Sequence, residues 1–156
     1  LSSNELAHLN RYANDKFKKS DERLSDKQEY YRYYTKGYDR YMNLLFDTTN
    51  DNQDAIFKYF LEANYDYFIL QNSVRKNFLK QFEILFDKKA ELLDFSIKYY
   101  ASDAGVKSDD YLKKQANFYD KIVSLSFDLW KAATDAQKKN FRKNISALKK
   151  ELENLI

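Results

Sequence analysis

The chain has 156 residues, of which 44% are hydrophobic and 33% are charged, and its formal net charge is +3. This length and composition fit one folded domain with a real core, and we predict a single domain over residues 1–156. The sequence contains no cysteine, which excludes disulfides, thiolate metal sites and cysteine nucleophiles. No apolar run reaches the roughly 20 residues that a transmembrane helix needs.

The near absence of turn-forming residues favours helices over strands. There is no proline, and there are two glycines, Gly37 and Gly105. Strands joined by tight hairpins usually need such residues. The 14 tyrosines and 12 phenylalanines would suit strands, but they recur at spacings of three and four residues, as on one face of a helix.

The first part of the chain predicts one long helix, over about residues 3–47. Ser2 and Glu5 form a capping box at its start, in which each side chain bonds the backbone N–H of the other residue. The same pattern recurs at Ser25 and Gln28, which marks the place where a break in this helix would fall. Bulky side chains continue the helix at a spacing of seven residues: Leu24, Tyr31, Tyr38 and Leu45.

A polar turn at residues 47–54 separates this helix from a second long one, over about residues 51–101. Aspartate, threonine and asparagine favour turns because their side chains compete for backbone hydrogen bonds. Asn50 and Gln53 provide the N-cap of the second helix. Polar clusters mark two places where this helix can bend: residues 64–66 and 87–89.

Two shorter helices complete the chain, over about residues 109–132 and 135–155. Ser108 caps the first of them. Thr134 and Gln137 form a capping box at the start of the second. The last helix is strongly amphipathic, with apolar side chains at spacings of three and four residues: Phe141, Ile145, Leu148, Leu152 and Leu155.

These elements together predict an all-α fold, an elongated up-down helical bundle. In this bundle the two long helices form a hairpin, and the two shorter helices cover that hairpin.

The many aromatic side chains fit either a tyrosine-built core or an exposed surface that binds a partner. We favour the core, because most rings follow the apolar stripes and large rings can fill the core of a helical bundle. We expect the third and fourth helices to cover most aromatic side chains of the second. Five side chains widen the stripes and are the candidates for partner binding: Tyr30, Tyr33, Phe57, Leu61 and Phe68.

The last helix also carries a basic face, and no acidic residue lies between Gln137 and Lys150. Clustered lysine and arginine attract nucleic acid or anionic lipid without sequence preference. We favour a solvated polar face, because the apolar side of this helix is needed for the bundle and lysines near a helix C-terminus complement its dipole. The basic face comprises Lys138, Lys139, Arg142, Lys143, Lys149 and Lys150.

The sequence contains no pattern typical of an active site. Glu5 and the sole histidine, His8, are spaced like half of a dinuclear metal site, but the second half is missing. No glycine-rich phosphate loop, nucleotide fingerprint or catalytic-triad order occurs. We therefore predict a non-enzymatic protein with no catalytic residues, no metal, no cofactor and no small-molecule substrate.

Several short motifs occur in a characteristic order along the chain. They are residues 1–9 (LSSNELAHL), Glu22-Arg23, the polar turn that ends in Gln53, and Thr134 with Gln137. In this order they resemble a family of proteobacterial envelope lipoproteins of unknown function, over nearly all of the chain. The chain departs from that family in having Glu5 where glutamine is usual and Ala133 where leucine is usual. The resemblance implies a periplasmic protein of the cell envelope, anchored through a lipidated cysteine upstream of Leu1.

Two of the helix starts, residues 24–28 (LSDKQ) and 133–137 (ATDAQ), are also similar to motifs of small periplasmic stress-response chaperones.

The lipoprotein resemblance implies an interaction or scaffold protein that binds protein partners and meets the membrane through its anchor alone. The chaperone resemblance implies, as the alternative, a holdase that binds unfolded proteins. A cytoplasmic adaptor, or a nucleic-acid binder that uses the basic face, is the third and least favoured hypothesis.

Overall fold

A computed structural model describes residues 3–101 and 106–155, and the part of the chain that it describes is helical without any strand. The all-α prediction is therefore confirmed. The predicted capping box of Ser2 lies outside the described residues. The structure has these helices: α1 (Ser3–Ser25), α2 (Lys27–Phe46), α3 (Asp51–Leu85), α4 (Lys89–Tyr100), α5 (Asp109–Lys131) and α6 (Asp135–Glu153).

The first predicted helix, over residues 3–47, is in fact two helices that meet at Asp26. The Asp26 carboxylate accepts a hydrogen bond from the backbone N–H of Gln28 at 2.8 Å, and the Ser25 hydroxyl donates to the backbone oxygen of Glu22 at 2.9 Å. Side chains of this type compete with the helical backbone pattern and favour helix starts. The break therefore falls where the sequence indicated, with Asp26 rather than Ser25 as the N-cap.

The second predicted helix, over residues 51–101, is also divided, into α3 and α4. The connection is tight: the N–H of Phe86 donates to the oxygen of Glu83 at 3.3 Å, and the N–H of Lys88 donates to that of Leu85 at 2.8 Å. This turn coincides with the polar cluster at residues 87–89. The other polar cluster, at 64–66, does not interrupt α3. The last two helices end one or two residues earlier than predicted.

The chain divides into two compact units: Leu1–Glu29 with Asn64–Tyr119, and Tyr30–Ala63 with Asp120–Ile156. We call them the first and the second unit. The single domain over residues 1–156 stays a prediction. No described helix has the length and apolar character that would let it cross a membrane.

The first unit has an aromatic core. Tyr67 stacks on Phe118 with ring centroids 4.2 Å apart, and Phe68 meets the same Phe118 ring edge-on at 5.3 Å. Asp21 on α1 forms an ion pair with Lys76 on α3 and accepts a hydrogen bond from Asn72. These contacts hold α1, α3 and α5 together within this unit.

The second unit has a core of buried side chains from α2 and from the turn before α6. Phe46 is 5% exposed and packs 5.0 Å from Phe141, and Tyr38 stacks on Phe57 at 4.1 Å. Half-buried side chains of α5 and α6 pack against this core. The core comprises Tyr38, Met42, Leu45, Phe46 and Ala133.

Candidate binding groove

An apolar groove of about 590 Å³ lies in the second unit, between α2, α5 and α6. We call it the α2–α5–α6 groove. Sites of this size and apolar character are typical of ligand and partner binding. Its lining residues are Tyr41, Met42, Leu45, Phe46, Val123, Ser126, Phe127, Leu129, Trp130, Phe141 and Ile145.

The groove has a buried floor and an apolar, exposed rim. Met42 and Phe46 in the floor are 1% and 5% exposed. On the rim, Tyr41 is 63% and Phe127 is 61% exposed. Val123 on the rim is also exposed. The rim positions are apolar side chains that the helices of this unit leave uncovered, and the stripe pattern alone did not reveal them.

Trp130 forms one wall of the groove and is flanked by positive charge. Its ring lies 5.2 Å from that of Phe141. The Lys138 ammonium and the Arg142 guanidinium each lie 5.8 Å from the Trp130 ring centre, within the range of a cation–π interaction. The α6 side of the groove is therefore electropositive.

The predicted basic face is largely exposed to solvent. Lys138 is half-buried against Trp130, and the other five basic side chains are exposed. Lys149 pairs with Glu153 at 3.7 Å. An exposed pair of this kind contributes at most about 1 kcal/mol.

Two helix starts that the sequence identified provide the polar support of the groove. At the start of α3, the N–H of Gln53 donates to the Asn50 side chain at 3.0 Å, and the N–H of Asn50 donates to the Gln53 side chain at 3.2 Å. At the start of α6, Thr134 and Gln137 exchange the equivalent bonds, at 3.2 and 3.0 Å. Both predicted caps are confirmed.

The two capping boxes also bond to each other, which the sequence did not reveal. Gln137 Nε2 donates to Gln53 Oε1 at 2.9 Å and to the backbone oxygen of Thr48 at 3.0 Å. Asn50 Nδ2 donates to Gln137 Oε1 at 2.7 Å. Gln53 is fully buried and Gln137 is 3% exposed, so these amides use protein groups in place of water. We call this arrangement the amide network.

The amide network also fixes the end of α5. Gln53 Nε2 donates to the backbone oxygen of Leu129 at 3.0 Å, and Asn50 Nδ2 donates to that of Ala132 at 3.0 Å. These acceptors are carbonyl groups at a helix C-terminus, which need partners from outside the helix. Because Leu129 lines the groove, the network positions its α5 wall.

A separate contact joins α6 to the end of α2. Asn144 Nδ2 donates to the backbone oxygen of Leu45 at 3.2 Å and to the Asp47 carboxylate at 2.8 Å. Asp47 has a φ of 66°, the left-handed conformation in which helices commonly end. The α2 and α6 walls are therefore held by specific polar contacts as well as by apolar packing.

The five candidate partner-binding residues do not form the predicted surface. Tyr30 is 0% and Leu61 is 1% exposed, and the Tyr30 hydroxyl donates to the backbone oxygen of Leu61 at 3.0 Å. The chain itself therefore covers these two side chains, and their part in partner binding stays a prediction. Tyr33 is 45% exposed, and Phe57 and Phe68 are half-buried against other rings.

The buried side chains of α2 agree only in part with the seven-residue spacing. They are Tyr30, Tyr38, Met42, Leu45 and Phe46, so Tyr38 and Leu45 follow that spacing, whereas Tyr30 is buried in place of Tyr31. The seven-residue spacing from Leu24 predicts Tyr31 as the core position, but Tyr31 is only half-buried.

Titratable side chains of the described ranges, residues 3–101 and 106–155, form no group of three or more that could hold a metal ion. His8 is exposed on α1. A scan against protein-family models found no match, and searches of curated proteins and of solved structures found none either.

Proposed function

We propose that this chain is a non-enzymatic interaction or scaffold protein that binds a protein partner in the α2–α5–α6 groove. The observation that carries the proposal is the exposed apolar rim over a buried floor. Soluble proteins rarely leave a contiguous apolar patch uncovered unless something binds it. Aromatic side chains such as Tyr41, Phe127 and Trp130 are the types that contribute most to protein interfaces.

The polar contacts around the groove favour a defined partner over many unrelated ones. The amide network and the Asn144 contacts hold all three walls in place. A groove that is already formed loses little conformational entropy when a partner binds, so it favours partners that fit its shape.

The resemblance to envelope lipoproteins supports a periplasmic location for this interaction protein, with membrane attachment through an upstream lipidated cysteine. The gene upstream of Leu1 tests this part of the proposal. A signal peptide that ends in a cysteine would support it, and an initiator methionine close to Leu1 would contradict it.

A holdase-type chaperone is the second candidate, because both units expose large apolar side chains. In the first unit, Ile84 is 65% and Tyr100 is 76% exposed, and in the second unit Tyr59 is 74% exposed. Exposed apolar side chains are what a holdase uses to hold unfolded clients. A holdase would therefore contact many proteins through several surfaces, whereas the scaffold would contact few through the groove.

Site-specific photocrosslinking in the native cell distinguishes the two candidates. A photoreactive phenylalanine derivative replaces Phe127 on the groove rim or, as the control, Tyr59, which is exposed in the same unit but does not line the groove. We expect one or a few discrete adducts from position 127 and none of these from position 59. Many adducts shared by both positions would indicate a holdase, and the absence of adducts at position 127 would contradict the groove as an interface.

An aggregation assay provides a second test. We expect the purified protein not to suppress the aggregation of unrelated unfolded clients at equimolar concentration. If it does, the holdase replaces the scaffold. Because a holdase uses several surfaces, Phe127→Ser in the groove should then weaken the effect no more than Tyr59→Ser outside it, with the melting temperature of both variants unchanged.

A further inference from the structure

We infer that the partner segment in the α2–α5–α6 groove is an amphipathic α-helix with acidic residues along one edge of its apolar stripe, and that this edge faces α6. The inference rests on the proposed function, because it specifies the occupant of the same groove.

The shape of the groove favours a helix as its occupant. The floor is buried, but the rim side chains Tyr41 and Phe127 are more than half exposed, so an occupant keeps one side in water. An amphipathic helix satisfies both conditions, since it places an apolar stripe on the floor and a polar face outward. An acyl chain in the same place would leave apolar surface exposed on its outer side.

The length of the groove sets the size of the apolar stripe. The α5 wall extends from Val123 to Trp130, which at 1.5 Å per residue is about 10 Å, or two helical turns. A helix that lies along this wall presents three or four anchor side chains at spacings of three and four residues.

The distribution of charge around the groove determines which edge of the partner helix carries acidic residues. On the α6 side, Lys138 and Arg142 flank Trp130, and the segment from Gln137 to Lys150 contains no acidic residue. On the α5 side, the groove presents Ser126, and the nearby Asp128 pairs with Lys131 at 3.7 Å. An acidic edge on the partner would therefore gain more attraction from α6 than from α5, which selects one of its two possible orientations.

The sole tryptophan, Trp130, makes binding directly measurable through its intrinsic fluorescence. The probes are three designed helical peptides that lack tryptophan and share one leucine and phenylalanine stripe. Along one edge of the stripe they carry glutamate, glutamine or lysine. We expect the glutamate peptide to bind about tenfold or more tightly than the lysine peptide, and to weaken as salt rises, because exposed charges are screened.

Charge reversal at the two cations that flank Trp130 on the α6 side of the groove provides the matched variant. In the double variant Lys138→Glu with Arg142→Glu, we expect the preference to invert, so that the lysine peptide binds more tightly than the glutamate peptide. The control is Lys36→Glu with Lys58→Glu, which makes the same change in net charge at exposed positions of the same unit that do not line the groove. We expect this control variant to bind the glutamate peptide more tightly than the lysine peptide, as the unaltered protein does. Far-ultraviolet circular dichroism verifies that both double variants fold. If either variant does not fold, the affinities of the three peptides for the unaltered protein still test the inference.

Three other outcomes overturn the inference. Equal affinity for the three peptides would contradict the inference that the partner helix has an acidic edge, but it would not contradict the proposed function. A fluorescence change with anionic phospholipid vesicles but with no peptide would identify a lipid surface as the occupant instead. No change with peptides or vesicles would exclude a helical occupant, and in that case a discrete adduct at position 127 would still support the proposed function.

Discussion

Replacing Gln137 by alanine tests whether the amide network holds the second unit together. The side chain is 3% exposed and makes hydrogen bonds with four groups. Its Oε1 accepts from the N–H of Thr134 at 3.0 Å and from Asn50 Nδ2 at 2.7 Å. Its Nε2 donates to the oxygen of Thr48 at 3.0 Å and to Gln53 Oε1 at 2.9 Å.

The expected loss of stability follows from these bonds. Each contributes about 1 kcal/mol net, and the alanine variant leaves buried partners unsatisfied. Bonds in a network are not additive, so we expect the Gln137→Ala variant to lose about 3–4 kcal/mol in free energy of unfolding. Natural domains have only about 5–15 kcal/mol in total. For a chain of this length, the melting temperature would fall by about 6–16 °C.

Chemical denaturation followed by Trp130 fluorescence measures this effect, because Trp130 lies in the same unit as the network. The control is Asn43→Ala, which removes an exposed amide from α2 in that unit and should change stability by about 0.5 kcal/mol or less. A loss for Gln137→Ala no larger than for this control would refute the reasoning.

Two further variants separate capping from the contact between the two boxes. Gln137→Glu retains a usual capping-box residue but, when ionised, cannot donate to Thr48 or Gln53. We expect it to be strongly destabilised at neutral pH, and to recover stability as the pH falls and the buried carboxylate is protonated. A double-mutant cycle of Gln53→Ala and Gln137→Ala should give a coupling energy of about 1 kcal/mol or more. Additive losses would mean that the boxes act independently.

Three other predictions concern buried tyrosines and the basic face. Tyr30→Phe should cost about 1 kcal/mol, because it removes the bond to the Leu61 carbonyl. Tyr38→Phe should cost less, because the buried Tyr38 hydroxyl makes no direct hydrogen bond among the described residues, although it lies near the Asp54 carboxylate. Thermal melts of both variants measure this difference, and equal losses would contradict it. Burial raises the pKa of Tyr38 and of Tyr111 above the usual 10.0. Below pH 10.0 both groups are neutral in the folded and the unfolded chain, but as the pH rises further the unfolded chain loses these protons more readily, so the folded state loses stability. Alkaline denaturation that begins later in Tyr38→Phe checks the sign, and an unchanged onset would count against it. Neither DNA nor RNA should bind the basic face in a mobility-shift assay, and complexes that disappear as salt rises from about 50 to 200 mM would instead support nucleic-acid binding.

Local signals in the sequence were sufficient for the fold class and for most helix ends. The capping boxes at Asn50 and Thr134 were identified correctly, because a cap depends on residues only three positions apart. The break at Asp26 also fell within a residue of a recognised cap pattern.

Tertiary structure decided which faces of those helices are covered. Spacing along one helix shows that bulky side chains share a face, but burial depends on what packs there, so Tyr30 is fully buried and Phe127 is largely exposed. The bonds between Gln53 and Gln137 join residues that are 84 positions apart, and no local pattern links them. The sequence by itself therefore determined the all-α class and the caps at Asn50 and Thr134, whereas the groove and the network that supports it depend on contacts between distant parts of the chain.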